Sequence, residues 1–421
     1  MKKIKNHDLI ITFLALKGNP KWSLITEPLW FIPYALFTPF ATIYMSHIGL
    51  TSKEIGLTIS LGFSLQVLFA LLGGIITDKM GRRNATFIFD FISWSIPCLI
   101  WAFAQNFWWF LFAAIINASY QITNASWNCL FVEDCPPKHL TNAFTLIQIC
   151  GLLSIFFSPI AIVLVDAFSV VAVVRVLYFI SAISMGLKFY LLYHFGGETE
   201  VGVRRMEETK DISYFDMFKG YKTVFLSILK SSKMLFVIFF LALSNIILIT
   251  TNNFFSLYIT EALELSDGLV AVFPMVRTLM MIICIAFLQN KINRLQMKKS
   301  LITGFIVYVL SHIVLLLAPT KSIIFICIYT ILEATAYAII IPRKDALMAF
   351  FVDVKERSRI YALFNACMIA LSAPFGYVVG LLFDLNKTFP FIFNILLFFI
   401  CMIMILCNKD IKSYETQVEQ A

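Results

Sequence analysis

Gly74-Ile75-Ile76-Thr77-Asp78-Lys79-Met80-Gly81-Arg82-Arg83 interrupts apolar sequence that runs over about 55–77 on one side and 85–105 on the other. Each flank has about the 20 residues that carry an α-helix across the hydrocarbon of a bilayer. The interruption is more than a set of charges. Gly81 suits a tight turn with positive φ, because it has no Cβ to clash. Gly74 would let two helices approach closely. Asp78 can cap or face a helix N-terminus, whose dipole favours a carboxylate, while Arg82 offers a planar fork to a carboxylate. A loop that only set topology would account for Lys79, Arg82 and Arg83 but not for the aspartate and the glycines. The stretch reads as a built turn between two membrane spans.

The same alternation of apolar run and polar break fills the chain. Of 421 residues, 60% are hydrophobic, 15% aromatic and 14% charged, and the mean hydropathy is +0.85. A soluble domain has about a quarter of its residues charged, so a soluble globular enzyme, a disordered chain and a disulfide-stapled domain are excluded. Apolar spans are expected near 23–47, 55–77, 85–105, 107–131, 141–166, 170–193, 234–259, 268–289, 300–318, 322–349, 359–383 and 388–407. That is an all-α polytopic membrane protein with twelve spans. Prolines within spans, such as Pro33, Pro39 and Pro97, are tolerable where neighbouring helices re-satisfy the freed carbonyls. The nine cysteines show no metal-ligand or redox spacing and read as small buried apolar residues. No Walker loop, zinc spacing or nucleophile elbow is present. No cofactor or metal is expected, and no enzyme.

The net charge of +8 gains meaning from its distribution. With both termini inside, cytosolic segments hold 27 Lys and Arg, whereas the outer loops hold Lys53, Lys321 and Lys387. That is the bias of cytosolic loops in membrane proteins, and it points to anionic lipid of the inner leaflet as a partner, not nucleic acid. Lys2, Lys3 and Lys5 precede a short apolar run without a small-x-small cleavage site, which favours a cytosolic interfacial helix over a signal peptide. The expected organisation is a cytosolic segment over 1–22, a first six-helix bundle over 23–193, a linker over 194–233, a second six-helix bundle over 234–407 and a tail over 408–421. Within the linker, Glu198 to Glu208 reads as solvated. Ile212, Phe215, Phe218, Tyr221, Phe225 and Ile228 follow at spacings of three and four, as in an amphipathic helix on the membrane surface.

The two halves echo each other. Asp78-Lys79-Met80-Gly81-Arg82 has a degenerate partner in Asn290-Lys291-Ile292-Asn293-Arg294, Leu50-Thr51-Ser52 matches Leu265-Ser266-Asp267, and Phe131-Val132-Glu133-Asp134 matches Phe351-Val352-Asp353. The Gly74–Arg83 loop resembles the G-x-x-x-D-[RK]-x-G-R-[RK] motif of the major facilitator superfamily at all six specified positions. It also lies where that superfamily places the motif, between spans two and three. The resemblance implies two pseudo-symmetric six-helix bundles and a monomer in a bacterial cytoplasmic membrane. It implies transport by alternating access, with this loop latching the halves in the outward-facing state. Glu133 and Asp134 end span four on the same side as Arg82, and Asp90, about two turns into span three, is read as supporting the loop.

Polar residues inside spans are candidates for function, because they are expensive there. Span one has Glu27, Trp30, Tyr34, Thr38 and Thr42 at helical spacing. Span four shows Asn117, Tyr120, Gln121, Asn124 and Asn128 as a one-sided stripe. Span seven has Asn245, Asn252, Asn253 and Ser256, and span ten has Tyr329, Glu333 and Tyr337 followed by Arg343 and Lys344. By resemblance, these four spans line the superfamily's central cavity. Arg277 in span eight needs a counter-charge, for which Glu333 is favoured over Glu27. The two carboxylates are the proton-coupling candidates. The expectation is a secondary transporter of a small organic solute, anionic or zwitterionic if Arg277, Arg343 and Lys344 meet it. Amides and tyrosines suit a sugar or peptide-like solute equally. Export of amphiphiles by proton antiport is the alternative, although span five keeps only a glycine and Pro159 of the antiporter pattern. A transporter-like sensor is a further one, distinguished by binding without flux.

Overall fold

The computed structural model describes residues 8–214, 216, 217, 225, 226, 228–284, 287, 296–350 and 357–408. Every regular element among them is helical. In chain order these are α1 (Asp8–Ala15), α2 (Gly18–His47), α3 (Ser52–Met80), α4 (Arg82–Ala102), α5 (Phe107–Asn117), α6 (Tyr120–Glu133), α7 (Pro137–Ala167) and α8 (Val170–Phe195). They continue as α9 (Glu200–Thr209), α10 (Ser232–Ala262), α11 (Val272–Ile283), α12 (Met297–Leu316), α13 (Ile323–Phe350), α14 (Arg357–Leu385) and α15 (Phe389–Cys407).

Ten of them are long and apolar enough to cross a membrane: α2, α3, α4, α7, α8, α10, α12, α13, α14 and α15. The other two expected spans are helical in shorter pieces. Span 107–131 is divided into α5 and α6 by a turn at Ala118 and Ser119. Span 268–289 begins as a 3-10 turn, Asp267–Ala271, continues as α11, and then passes partly outside the described residues. The expected surface helix over 212–230, the Asn290–Arg294 loop, the Phe351–Asp353 repeat and the tail lie wholly or in large part outside them too.

Proline placement shapes the first helices. A helical amide donates to the carbonyl four residues earlier, and proline has no N–H to donate. Pro33 thereby frees the carbonyl of Leu29, Pro39 that of Ala35, and Pro97 that of Ser93. Each finds a donor on another helix. Ser184 Oγ donates to Leu29 at 2.8 Å, Ser158 Oγ to Ala35 at 3.5 Å, and Asn117 Nδ2 to Ser93 at 2.7 Å. The distortions fall at the same places: a 3-10 turn at Thr38–Phe40 and a π turn at Phe91–Ser95. Interhelical hydrogen bonds of this kind contribute about 1 kcal/mol each. Asn117→Leu should therefore lower the stability of the first unit by about that amount, read as an earlier unfolding midpoint in detergent, with Ser184→Ala giving a similar loss.

The helices form two compact units, Met1–Ala41 with Leu61–Gly220, and Thr42–Ser60 with Tyr221–Ala421. Thr42–Ser60, which the sequence places in the first bundle, thus packs within the second unit. In the first unit α4 packs on α6 and α8, and α8 packs on α2. α1 docks on α7, with Leu16 joining Phe131, Cys135 and Ala143 in a small apolar core. In the second unit α12 packs on α13 and α15, while α10 packs on α14. Its core is aromatic, with Phe240, Phe305, Tyr308 and Phe398 buried together.

One contact in the second unit leaves no room for side chains. A Cβ on Gly56 would sit 2.4 Å from the Gly376 carbonyl oxygen, and one on Gly380 would sit 2.5 Å from that of Ser52. α3 and α14 meet there backbone to backbone. Beside them the Lys53 amide donates to Asp384 Oδ2 at 3.1 Å, and the Lys53 ammonium lies 5.9 Å from the Tyr377 ring centre.

Candidate functional site

Three polar constellations stand out, two in the first unit and one in the second. The first is built on the Gly74–Arg83 loop. Gly81 turns the chain with φ +83°, which brings Arg82 back over α3. Its guanidinium lies 3.0 Å from Asp78 Oδ1 and 3.2 Å from both oxygens of Glu133. The two charge-assisted contacts hold an arginine that is only 4% exposed. Arg83 donates to the Tyr193 carbonyl at 2.7 and 3.0 Å and stacks over the Tyr193 ring. Lys79 lies over Tyr214.

Several sequence-based readings of this loop need correction. Gly73 makes a close helix approach, as its Cβ would meet the Gln121 carbonyl and Ala125, and Gly74 beside it is half-buried. Asp78 does not face a helix N-terminus. Its second oxygen accepts from Arg205 Nη2 at 2.9 Å. Glu198 caps α4 instead, accepting from the Arg82 and Arg83 amides at 3.0 Å each, where unpaired N–H groups and the helix dipole favour an anion. Asp134 stays out of the arginine cluster. It accepts from Asn19 Nδ2 at 2.7 Å, and burial raises its pKa against the opposing effect of that hydrogen bond.

The linker after α8 is not solvated throughout. Thr199 is 1% exposed; its hydroxyl bonds Glu133 and accepts from the Gly202 amide at 2.9 Å, capping α9. The Thr209 hydroxyl reaches the Asp78 carbonyl at 3.3 Å. A Cβ on Gly202 would fall 2.0 Å from Glu198 Oε1 and 2.9 Å from Arg82 Cδ. Arg204, Glu207 and Glu208 do face solvent. In the docked linker Gly196 and Gly202 let the backbone lie close, and Glu198, Thr199 and Arg205 supply matching partners.

The second constellation lies inside the first unit. Glu27 accepts from Lys188 Nζ at 2.9 Å, with both side chains at least 93% buried. A buried pair of this kind is stable only as a pair. Trp30 stacks on Tyr34, with centroids 4.7 Å apart, and Trp94 meets both edge-on at 5.0 and 5.8 Å. Tyr120 lies 5.9 Å from Trp94 and donates to Gln66 Oε1 at 3.2 Å, and Gln121 Nε2 donates to the Tyr120 hydroxyl at 3.1 Å. The expected span-four stripe is therefore not continuous. Asn117 turns to the Ser93 carbonyl before the break, where Ser119 bonds back to Ile116 at 2.7 Å and competes with the helix. Asn128 turns to the Asn124 carbonyl at 2.6 Å.

The third constellation lies inside the second unit. Arg277 Nη2 stands 3.0 Å from Glu333 Oε1, the glutamate side chain 3% exposed and the arginine 23%. Tyr337 lies under the guanidinium at 4.6 Å, and Asn252 Oδ1 accepts from Arg277 Nη1 at 3.4 Å. Asn245 is used elsewhere, donating to Ser372 Oγ at 2.7 Å. Arg343 and Lys344 lie on α13; the Arg343 guanidinium is buried and donates to the Ile339 carbonyl at 2.9 Å. His312 is fully buried among Tyr308, Phe391 and Phe398.

Sequence reasoning missed Lys188, Gln66, Trp94, Glu198 and Arg205. Lys188 carried a usable signal, since a lysine within a span demands a partner. The others are ordinary in their local sequence and gain meaning only from what stands opposite them.

The sequence model of the Major Facilitator Superfamily matches residues 29–341. A search of curated proteins gives no significant match. Among solved structures, the nucleoside transporter NupG superposes with a TM-score of 0.71 at 14% identity, covering 93% of this chain and 100% of its own. A peptide transporter POT in complex with sulfate gives 0.70 at 12% identity, covering 92% of this chain and 93% of its own. A POT family transporter in complex with 5-aminolevulinic acid gives 0.68 at 16% identity, covering 95% and 96%. At these identities the likeness is one of fold.

Proposed function

Because the chain belongs to the major facilitator superfamily, and so is a multi-pass membrane transporter rather than an enzyme, we propose that it moves a small zwitterionic or anionic organic solute by alternating access. The observation behind this reading is the Arg277–Glu333 pair. A guanidinium and a carboxylate 3.0 Å apart offer one charge to each end of a solute that has both an amine and an acid. Tyr337 and Asn252, already in contact with Arg277, add an aromatic face and an amide for orientation. Binding of 5-aminolevulinic acid by a POT family transporter of the same fold is consistent with a solute of that chemistry. Arg277 is the more open partner, so the solute's carboxylate meets it first and competes with Glu333 for the fork. In this proposal a buried carboxylate takes up a proton during the cycle, with Glu27 and Glu333 the candidates from sequence, and the membrane is the cytoplasmic one.

Thermal-shift binding of the purified protein to a metabolite panel tests the reading. An amino acid, short peptide or amino-acid-like acid should stabilise the wild type and lose at least tenfold in affinity in Arg277→Ala, which corresponds to about 1.4 kcal/mol. Stabilisation by lipophilic cations, indifferent to Arg277→Ala, would overturn it. That second outcome is the export reading, favoured by the box of Trp30, Tyr34, Trp94 and Tyr120, whose faces suit an apolar cation.

A further inference from the structure

Asp90 has no part in the arginine cluster at the Gly74–Arg83 loop, although the sequence places it as support for that loop. It directly precedes the π turn of α4, is 6% exposed, and stands within electrostatic reach of Lys188 and Glu27. Those three groups sum to one uncompensated negative charge in the interior of the first unit when all are ionised. Lys188 is already engaged by Glu27 at 2.9 Å. Among the described residues no other charge near Asp90 serves it. On its own helix Arg83 is tied to the Tyr193 carbonyl, and α6 presents the hydroxyl of Thr123. A lone buried carboxylate is costly in an apolar interior, and a proton removes that cost.

A path to it exists. A narrow cleft of about 10 Å³, room for about one water molecule, is bounded by partly buried Arg83 and Tyr193 and by buried Leu130 and Leu192, and Asp90 lies in its wall. Arg83 is the second residue of α4, at the end that the charge bias places in the cytosol, and Asp90 lies seven residues further in.

We propose that Asp90 is a proton-binding site of the first unit, reached from cytosolic water through this cleft. The proton adds to a carboxylate oxygen of Asp90 and leaves Lys188 and Glu27 as a neutral pair. When the proton departs, the ammonium is shared between two carboxylates. This rests on the proton-coupled reading above and moves the coupling group away from Glu27 and Glu333.

Infrared difference spectra of the reconstituted protein across a pH titration test it through the C=O stretch of protonated carboxyl groups. Wild type should show a titrating buried-carboxyl band that Asp90→Asn loses, Asp90→Glu restores at a shifted frequency, and Glu333→Gln leaves in place. After a pH jump, Leu130→Phe or Leu192→Phe, which fill the cleft, should slow the band at least tenfold without changing its amplitude. A band retained in Asp90→Asn but lost in Glu27→Gln or Glu333→Gln overturns the assignment and leaves proton coupling standing. An unchanged rate in both cleft variants overturns the route. Absence of any titrating carboxyl in the wild type overturns the coupled reading itself.

Discussion

Glu333→Ala should destabilise the second unit by about 3–5 kcal/mol, the usual result of removing one member of a buried ion pair. The lost attraction is the smaller part of that effect. Most of it comes from Arg277, left ionised with its countercharge gone, since the side chain is three-quarters buried and an arginine does not shed its proton. Tyr337 and Asn252 soften the loss only partly, because neither carries charge. The double variant Arg277→Met with Glu333→Leu should recover most of the stability, as apolar replacements of buried pairs commonly do. It should nonetheless bind no solute from the panel. Unfolding midpoints of the two single variants and the double one, beside ligand shifts, separate a pair that braces helices from one that handles solute. Single variants as stable as the wild type would show that the pair is not desolvated as described.

Gly56→Leu should be comparably damaging for a different reason. The Gly376 carbonyl is backbone and has nowhere to turn, so even a methyl at 2.4 Å drives α3 away from α14. Overpacking at such a point costs about 3 kcal/mol, and the adjoining contact between the Lys53 amide and Asp384 goes with it. In a background without native cysteines, Lys53→Cys with Asp384→Cys should cross-link readily, and adding Gly56→Leu should abolish the cross-link. Gly62→Ala is the control, because its Cβ would meet only Ala114 at 3.8 Å. A cross-link that forms equally well with Gly56→Leu would contradict this packing.

What the sequence reveals here follows the distance over which each interaction is written. The helical fold is legible because hydropathy is local, and the turn at Gly81 because positive φ is a property of one residue. Arg277 and Glu333 are legible as partners because so few charges are stranded in apolar spans. The partner of Glu27 is not legible, for the complementary reason. Lys188 lies 161 positions away, and nothing near either residue announces the other. The span-four amides show a different limit. Spacing places Asn117 on the face of Tyr120 and Gln121, yet Pro97 on another helix decides what Asn117 does by freeing a carbonyl for it. The proline is legible and the need it creates is legible, but which neighbouring side chain answers is a matter of packing. Likewise Glu198 and Arg205 sit in a polar stretch whose composition alone is that of a solvated connector.

The docking of that connector bears on how the molecule could be cut or tagged. Its glycines invite a protease site or a fluorescent insert near Gly196 or Gly202, yet an insert there would pry Glu198 from the α4 amides and Arg205 from Asp78. A chain split for co-expression should keep α9 with the amino-terminal fragment, with the break placed after Thr209. Reassembly of two such fragments, set against failure when the cut precedes Glu198, would show that the amino-terminal half ends ten or more residues beyond its last membrane span.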